Sequence, residues 1–359
     1  MRRHLVRIVI IIAALLALFL FIAAVAGWAY EQVGRNRDRH LYPQVGKSID
    51  IGGRSLNLYC SGQGGPAVIF EAGGEVGGYS WALVQPEVAK LTRACWYDRA
   101  GEGWSDPPPA PRTSGSVVDD LHELLHRAQI QSPYILVGAS VGGEYARVFA
   151  WKFPSEVAGM VLVDSSHPDQ HEPASMKSQF NLMSPGRRRF FCALIPSLSR
   201  FGLLRLMTGP QPGFVPPTLE PKNAAAVSRF LANRPATMEA SAEQSCAATR
   251  NGSSVPNGGT GNPELDDAAR ASGSLGDSPL IVLTAGQPFV PPDPRDKQEA
   301  AEFHEAWIYQ LQPQLAALSS RGRQVIVPNS AHAINFEAPE EIFKAVRDVL
   351  EQVRIPKSH

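Results

Sequence analysis

An apolar run close to the N-terminus dominates the hydropathy pattern of the chain. The run extends from Ile8 to Ala29 without a charged side chain. A helix of this length, rising ~1.5 Å per residue, extends ~33 Å, which matches the hydrocarbon core of a bilayer. Trp28 and Tyr30 stand at its C-terminal end, where aromatic rings prefer the membrane interface. We therefore expect residues 1–30 to form an N-terminal transmembrane anchor.

Three topologies are compatible with this run. A retained signal-anchor leaves the first residues in the cytoplasm and the rest outside, as the arginines before the run favour. A cleaved signal peptide would use the A-x-A sequence that ends at Ala26, and the protein would then be secreted. The inverted topology would follow from Arg35, Arg37 and Arg39, just beyond the run. We favour the single-pass signal-anchor, because the run exceeds the about 7–15 apolar residues of a signal peptide.

Downstream of the anchor, short apolar runs of strand type alternate with segments of helical periodicity. The predicted strands are Ser48–Ile51, Ser55–Tyr59, Ala67–Phe70, Ala94–Tyr97, Tyr134–Val137, Gly159–Val163, Leu280–Leu283 and Gln324–Val327. The predicted helices are Val117–Ala128, Gly142–Phe153, Glu299–Leu318 and Pro339–Val353, with Pro313 expected to kink or break the third. This alternation is typical of an α/β fold, a mostly parallel sheet covered by helices on both faces.

Residues 167–278 interrupt the alternation. They are poor in strand signals and contain helical pieces, which is what a helical lid inserted into a sheet domain would look like. The predicted organisation is listed from the N-terminus: the anchor (1–30), a polar linker (31–45), a first part of the core (46–166), the lid (167–278) and a second part of the core (279–359).

Composition excludes some classes of protein. The chain is 44% hydrophobic and 19% charged, which excludes a disordered chain. Its formal net charge is zero, and nothing indicates the basic face that nucleic-acid binding requires. The four cysteines form no C-x-x-C or Cys/His cluster that would suggest a metal. The cysteines are either buried thiols or disulfide partners, and they are Cys60, Cys95, Cys192 and Cys246. The first pair to test is Cys192 with Cys246, because both lie in the lid.

The segment 138–142, Gly-Ala-Ser-Val-Gly, is a G-x-S-x-G motif between a predicted strand and a predicted helix. That context is the one a nucleophile elbow requires, because a sharp turn needs small residues on either side of the serine. The turn also places Ser140 at a helix N-terminus, where backbone N–H groups favour negative charge. We therefore expect Ser140 to be a nucleophile.

A serine hydroxyl needs a base to act as a nucleophile. Among nine histidines, His332 is the best candidate, because it follows the last predicted strand by a short loop and precedes the last helix. By contrast, His126 lies within a predicted helix, and His167, His171 and His304 lie in or near the lid.

Four segments occur in the order expected of the α/β-hydrolase fold family, which the chain resembles over roughly residues 46–354 outside the lid. They are Glu71-Ala72-Gly73-Gly74, the stretch from Tyr97 to Ser105, the elbow at Ser140, and Ser330-Ala331-His332. The resemblance implies an eight-stranded sheet and a nucleophile-acid-histidine order. It also implies hydrolysis of esters, amides, lactones or related bonds, without a cofactor. Asp98, Arg99 and Trp104 are interpreted as shaping a turn and a pocket wall.

The resemblance also implies an oxyanion hole made of two backbone N–H groups. One comes from the residue after the nucleophile and one from the loop after the third strand, which are Val141 and Gly74 here. This sequence has Ala72-Gly73 where His-Gly is common in the family, so the loop is expected to differ in shape.

The acid of the triad has two candidates. The family often places it after the seventh strand, but residues 284–289 contain no acid at the expected place, and Asp293 comes later in a Pro-rich loop. Other members carry it after the sixth strand, where this chain has Asp164. We favour Asp164, with Asp293 left open.

The sequence thus predicts a membrane-anchored serine hydrolase that cleaves a small-molecule carboxylic ester, or a related acyl bond, through an acyl-enzyme intermediate. A serine at the elbow argues against epoxide hydrolase and dehalogenase chemistry, which use a carboxylate nucleophile. An acyltransferase, a peptidase, and a non-catalytic ligand-binding protein of the same fold are the alternatives. No nucleic-acid partner and no metal or other cofactor are expected.

Overall fold

The structure of the chain is a computed structural model. It describes residues 2–41, 43–74, 77–108, 113–170, 194, 198–208, 263–288 and 297–355.

The chain begins with one long helix, α1 (Arg2–Leu41). Apolar side chains are exposed along it from Leu5 to Val33. By length and composition, its part from Arg3 to Arg37 can cross a membrane. The helix also continues through most of the predicted linker, so residues 31–41 are helical instead of forming an irregular connection.

Eight strands form one sheet in the order β1-β2-β4-β3-β5-β6-β7-β8. The strands are β1 (Lys47–Asp50), β2 (Ser55–Ser61), β3 (Ala67–Glu71), β4 (Ala94–Tyr97), β5 (Tyr134–Ala139), β6 (Val157–Val163), β7 (Leu280–Ala285) and β8 (Gly322–Val327). The β1–β2 and β2–β4 pairs are antiparallel, and all the others are parallel. Strands β3, β4 and β7 are buried at every position, as expected of strands covered on both faces. The predicted mostly parallel, eight-stranded α/β sheet is confirmed.

Helices cover both faces of this sheet. The described helices after α1 are α2 (Gln85–Val88), α3 (Ser114–Arg127), α4 (Val141–Lys152), α5 (Leu203–Thr208), α6 (Pro263–Ala271), α7 (Lys297–Ala306), α8 (Gln312–Ala316), α9 (Ile334–Glu337) and α10 (Pro339–Arg354). Apolar side chains of α3, α4, α6 and α8 build one core against the sheet, and those of α2, α9 and α10 build the other.

The helix predicted over 299–318 is divided. A π-helical turn, Trp307–Leu311, separates α7 from α8. Pro313 lies in the first turn of α8, where its missing N–H costs little. The proline therefore coincides with a change of helix type without ending the helical path.

A disulfide joins Cys60 of β2 to Cys95 of β4, which are partners in the antiparallel register. The two cysteines are separated by 35 residues, and a chain-entropy argument gives such a crosslink about 3–4 kcal/mol. Cys192 and Cys246 lie outside the described residues, so their predicted pairing remains a prediction.

Much of the predicted lid also lies outside the described residues. Its C-terminal part, α6, packs on the core, because Leu265 and Ala269 are completely buried. Arg147 of α4 donates a hydrogen bond to the carbonyl oxygen of Ala269 (2.6 Å), and Ser114 of α3 donates one to Glu264 (3.0 Å). The end of the insertion is thus fixed to the two helices on this face.

Glycines allow α4 to begin tightly against the ends of β3 and β5. A Cβ atom on Gly138 would lie 2.6 Å from the carbonyl oxygen of Gly142, and one on Gly142 would lie 2.6 Å from that of Glu71. A Cβ on Gly74, by contrast, would meet only Val141 Cγ1, at an ordinary 3.7 Å. The first two glycines are required by packing, and the third is not.

We expect Gly142→Ala to destabilise the protein, and Gly74→Ala to have little effect. The methyl group at position 142 would collide with backbone of β3, and such overpacking costs about 1–3 kcal/mol. Thermal unfolding of the two full-length variants in detergent micelles is the measurement. Equal midpoints for the two alanine variants would contradict this account of the turn.

Candidate active site

Ser140 occupies the junction between β5 and α4 in a conformation rare for a residue other than glycine, with φ 52° and ψ −128°. Neighbouring backbone holds it there. The Ser140 N–H donates to the carbonyl oxygen of Val163, and the Ser140 carbonyl oxygen accepts from the N–H groups of Gly143 and Ser166, all at 3.0 Å. Strain of this kind persists only where the surroundings fix it. The serine is therefore presented at the start of α4 by the structure around it.

Asp164 follows the last residue of β6 and hydrogen-bonds to His332. The Nδ1–H of His332 donates to Asp164 Oδ2 at 2.6 Å. The other oxygen of the carboxylate accepts from the Ala285 N–H (2.9 Å) and from the Trp307 indole N–H (2.8 Å). The carboxylate is buried, so these donors stabilise its charge and fix its orientation.

The hydrogen bond has an electrostatic consequence for His332. Partial desolvation of the ring lowers the pKa of His332, but the hydrogen bond and the charge of Asp164 outweigh it, with a smaller contribution from Glu337. The pKa of His332 is therefore raised above its ordinary value.

Glu337 organises the loop that carries His332. Its Oε2 accepts from the backbone N–H of Ala331 (2.6 Å) and from the hydroxyl of Ser330 (3.0 Å). On the other side, the carbonyl oxygen of Ser330 accepts from the N–H of Gln287, after β7. The loop is thus held between α9 and the end of β7.

A buried arginine holds the loop after β3. Arg99 Nη1 donates to the carbonyl oxygen of Ala72 (2.7 Å), and Arg99 Nη2 donates to that of Gly73. The same guanidinium pairs with Glu71 at 2.5 Å and with Glu102 at 3.0 Å. Burial lowers the pKa of Arg99, but the charges of Glu102 and Glu71 outweigh it and raise that pKa well above its ordinary value.

These contacts orient the peptide between Gly73 and Gly74. A trans peptide is planar, and its C=O and N–H point in opposite directions. Because the Gly73 carbonyl points at Arg99, the Gly74 N–H points away from Arg99. Gly74 is also close to Val141, since a Cβ on Gly74 would lie 3.7 Å from Val141 Cγ1. Val141 is the first residue of α4, so its N–H lacks a partner within the helix.

The structure brings several of the predicted site residues together. Asp164 contacts His332, the backbone of Ser140 is bonded to the end of β6 next to Asp164, and Gly74 lies beside Val141. Asp293, the other candidate acid, lies outside the described residues.

The sequence analysis did not predict the contacts of three groups at this site. Trp307 carries no sequence signal for its bond to Asp164. Glu337 is recognisable only as an acid five residues after a candidate base, and Arg99 was assigned to a turn and pocket wall, whereas it binds the loop after β3. Within the described ranges, no group of three or more His, Cys, Asp or Glu side chains could hold a metal ion.

Comparison with known proteins agrees with this architecture. The sequence model of the alpha/beta hydrolase fold matches residues 66–234. An uncharacterized vacuolar membrane protein of Saccharomyces cerevisiae is 38% identical over 127 residues, covering 34% of this chain and 19% of that protein. A 2-hydroxymuconate semialdehyde hydrolase of Pseudomonas sp. is 33% identical over 127 residues, covering 34% of this chain and 44% of that enzyme.

The chain therefore spans less than a fifth of the length of the yeast relatives that it matches and under half of the Pseudomonas enzyme. Among solved structures, a thermophilic esterase from Thermogutta terrifontis aligns with a TM-score of 0.55 at 21% identity, covering 86% of this chain and 98% of that one. At that identity the likeness concerns the fold alone. The family match and the eight-stranded sheet agree, and the chain has the α/β-hydrolase fold.

Proposed function

We propose that this protein is a serine hydrolase that cleaves a carboxylic ester, or a related acyl bond, through an acyl-enzyme intermediate. The observation that carries the proposal is the hydrogen bond of His332 to the buried Asp164, with Ser140 held in a strained turn whose backbone is bonded to the same end of β6. An oriented, charge-stabilised imidazole and a serine held in a strained turn are what nucleophilic acyl transfer requires.

In the first step, His332 Nε2 takes the proton of Ser140 Oγ while Oγ bonds to the substrate carbonyl carbon. Asp164 stabilises the imidazolium that forms and keeps Nδ1 protonated, which leaves Nε2 free to act as the base. Collapse of the tetrahedral intermediate breaks the bond to the leaving alkoxide, which takes the proton from His332.

The negative oxygen of the intermediate would lie between the N–H groups of Gly74 and Val141. Arg99 supports this role for Gly74 as a positioning residue, because it binds the carbonyl of the same peptide unit from the opposite side. In the second step, water gives its proton to His332 and attacks the acyl group, and Ser140 leaves with the proton returned. Preorganised donors of this kind are typically worth about 10²–10³ in kcat.

Asp164 is preferred over Asp293 as the acid for a physical reason. Its carboxylate already accepts from the His332 ring, and two further N–H donors fix its orientation. The predicted partner of this site is a small-molecule ester.

We further propose that α1 is a single-pass signal-anchor with the catalytic part on the extracytoplasmic side. The disulfide between Cys60 and Cys95 supports this orientation, because structural disulfides persist in oxidising compartments. The length of the apolar run supports retention of the helix over cleavage near Ala26.

Treatment of the full-length protein in detergent micelles with a fluorophosphonate probe tests the nucleophile. We expect one adduct by intact mass for the wild type and for the exposed control Ser320→Ala, and none for Ser140→Ala. Asp164→Asn should slow labelling by about 10²–10⁴-fold, since the amide presents an NH₂ group to His332 and favours the wrong tautomer. Labelling that survives in Ser140→Ala would refute the proposed nucleophile.

The pH dependence of probe inactivation tests the His332–Asp164 pair. Only neutral His332 can accept the proton, so the rate should rise with pH through the pKa of His332. That pKa is raised by Asp164, so the midpoint should lie above the about 6.5 of an ordinary histidine, and Asp164→Asn should move it down. The control His126→Gln, in helix α3, should keep the wild-type midpoint. An unchanged midpoint in Asp164→Asn would count against the pair.

Arg99→Lys tests the orientation of the oxyanion loop. A lysine keeps the charge but cannot donate in a fork to two carbonyl groups. We expect kcat for a soluble p-nitrophenyl ester to fall about 10–10³-fold with KM nearly unchanged, and the affinity of a trifluoromethyl ketone to fall in parallel. Active-site titration corrects for unfolded protein, and Arg127→Lys, an exposed basic control, should keep wild-type values. A change in KM alone would show that Arg99 does not act through the oxyanion.

A further inference from the structure

The part of the insertion at residues 198–208 lies directly against the anchor helix. An apolar groove of about 480 Å³ lies along the contact between them. Its lining includes Ala23, Gly27 and Tyr30 of α1 and Phe201, Leu203 and Leu206 of the segment. The approach is close, because a Cβ on Gly27 would lie 2.5 Å from the carbonyl oxygen of Phe201.

An ionic contact fixes this arrangement at the polar end of the groove. Glu31 of α1 is completely buried and pairs with Arg205 of the segment at 2.8 Å and with Arg35 of α1 at 2.9 Å. A buried carboxylate is tolerated only when it is paired, so displacing Arg205 would leave Glu31 with one partner fewer at a cost in free energy. The segment is therefore docked on α1 by both packing and charge.

The position of the groove along α1 defines how deep in the bilayer the groove would lie. The groove reaches Ala23, whereas the apolar run of the anchor continues to Ala29. At ~1.5 Å per residue, the deepest part of the groove lies ~9 Å inside the end of that run. Amphipathic segments at a membrane surface bury their apolar face to about 5–10 Å.

Apolar residues of the segment that line this open groove are also exposed. Leu206 is 68% exposed, and Phe201 and Leu203 are about 40% exposed, next to the exposed Trp28 and Tyr30 of α1. Such a contiguous patch is costly in water and typical of a surface that contacts lipid or protein. The patch is continuous with the anchor and lies where α1 would leave the hydrocarbon core of the bilayer. The bilayer is therefore the partner that fits this patch.

We propose that residues 198–208 form a second membrane-embedded element, with Phe201, Leu203 and Leu206 inserted into the extracytoplasmic leaflet of a phospholipid bilayer. The proposal rests on the proposed anchoring of α1, and it is independent of the proposed chemistry at Ser140. It assigns residues 198–208, which belong to the insertion, a membrane partner.

Photo-crosslinking in lipid nanodiscs tests the proposal. The full-length protein is reconstituted in phosphatidylcholine with phosphatidylglycerol, with p-benzoylphenylalanine at position 206, and adducts are identified by intact mass after illumination. Position 355 is the matched control, because Ile355 is 67% exposed at the end of α10. Position 19 is the positive control, because Phe19 is 65% exposed in the middle of the apolar run.

We expect lipid adducts at positions 206 and 19 and at least tenfold fewer at position 355. An adduct level at 206 equal to that at 355, or a crosslink to a second copy of the chain in place of lipid, would overturn the proposal. Loss of adducts at position 19 would instead show that the anchoring itself is wrong, and fluorophosphonate labelling of the same samples reports separately on Ser140.

A charge variant tests the docking contact. Arg205→Gln should reduce lipid adducts at position 206 several-fold, whereas Arg35→Gln, which removes the other partner of Glu31, should leave them close to the wild-type level. Equal adduct levels in the two variants would exclude the Glu31–Arg205 pair as the contact that holds the segment at the membrane.

Discussion

The carboxylate of Asp164 joins the ends of three neighbouring strands. β6 carries it, the last residue of β7 donates an N–H to it, and the loop after β8 brings His332 to its second oxygen. Trp307 adds a fourth element from the connection between β7 and β8. Because a buried carboxylate needs its donors, each of these loops is constrained by the same charge, and the proposed base inherits its orientation from the sheet.

The opposite wall of the site depends on a second buried charge. Arg99 follows β4, yet its guanidinium holds the loop after β3, which is possible because β3 and β4 are parallel neighbours. Ser140 lies between the two walls, in a turn whose backbone bonds reach β6. The proposed nucleophile, base and oxyanion donors thus come from separate loops at one edge of the sheet, where parallel strands end together.

The strand pattern, the elbow at Ser140 and the loop of His332 could be predicted because each is a local signal. The sequence favoured Asp164 as the acid but left Asp293 open, since the choice depends on which strands are neighbours. The contacts of Arg99 with the carbonyl groups of Ala72 and Gly73 were missed for the same reason, because these partners are distant in the sequence. Those of Glu337 were missed because a bond to a nearby backbone N–H leaves no sequence signal. The continuation of α1 to Leu41 was missed because a charged, polar segment is also typical of a linker.

The continuation of α1 to Leu41 limits how far the hydrolase domain can lie from the end of this helix. Only residues 42–46 separate the end of α1 from β1, and a fully extended stretch of that length reaches at most about 18 Å. With α1 crossing a membrane as proposed, the catalytic domain stays on a short, stiff tether and cannot search the bulk solution. The domain then meets molecules dissolved in the bilayer by diffusion in two dimensions. The effective concentration of these molecules near the domain is set by tether length more than by affinity.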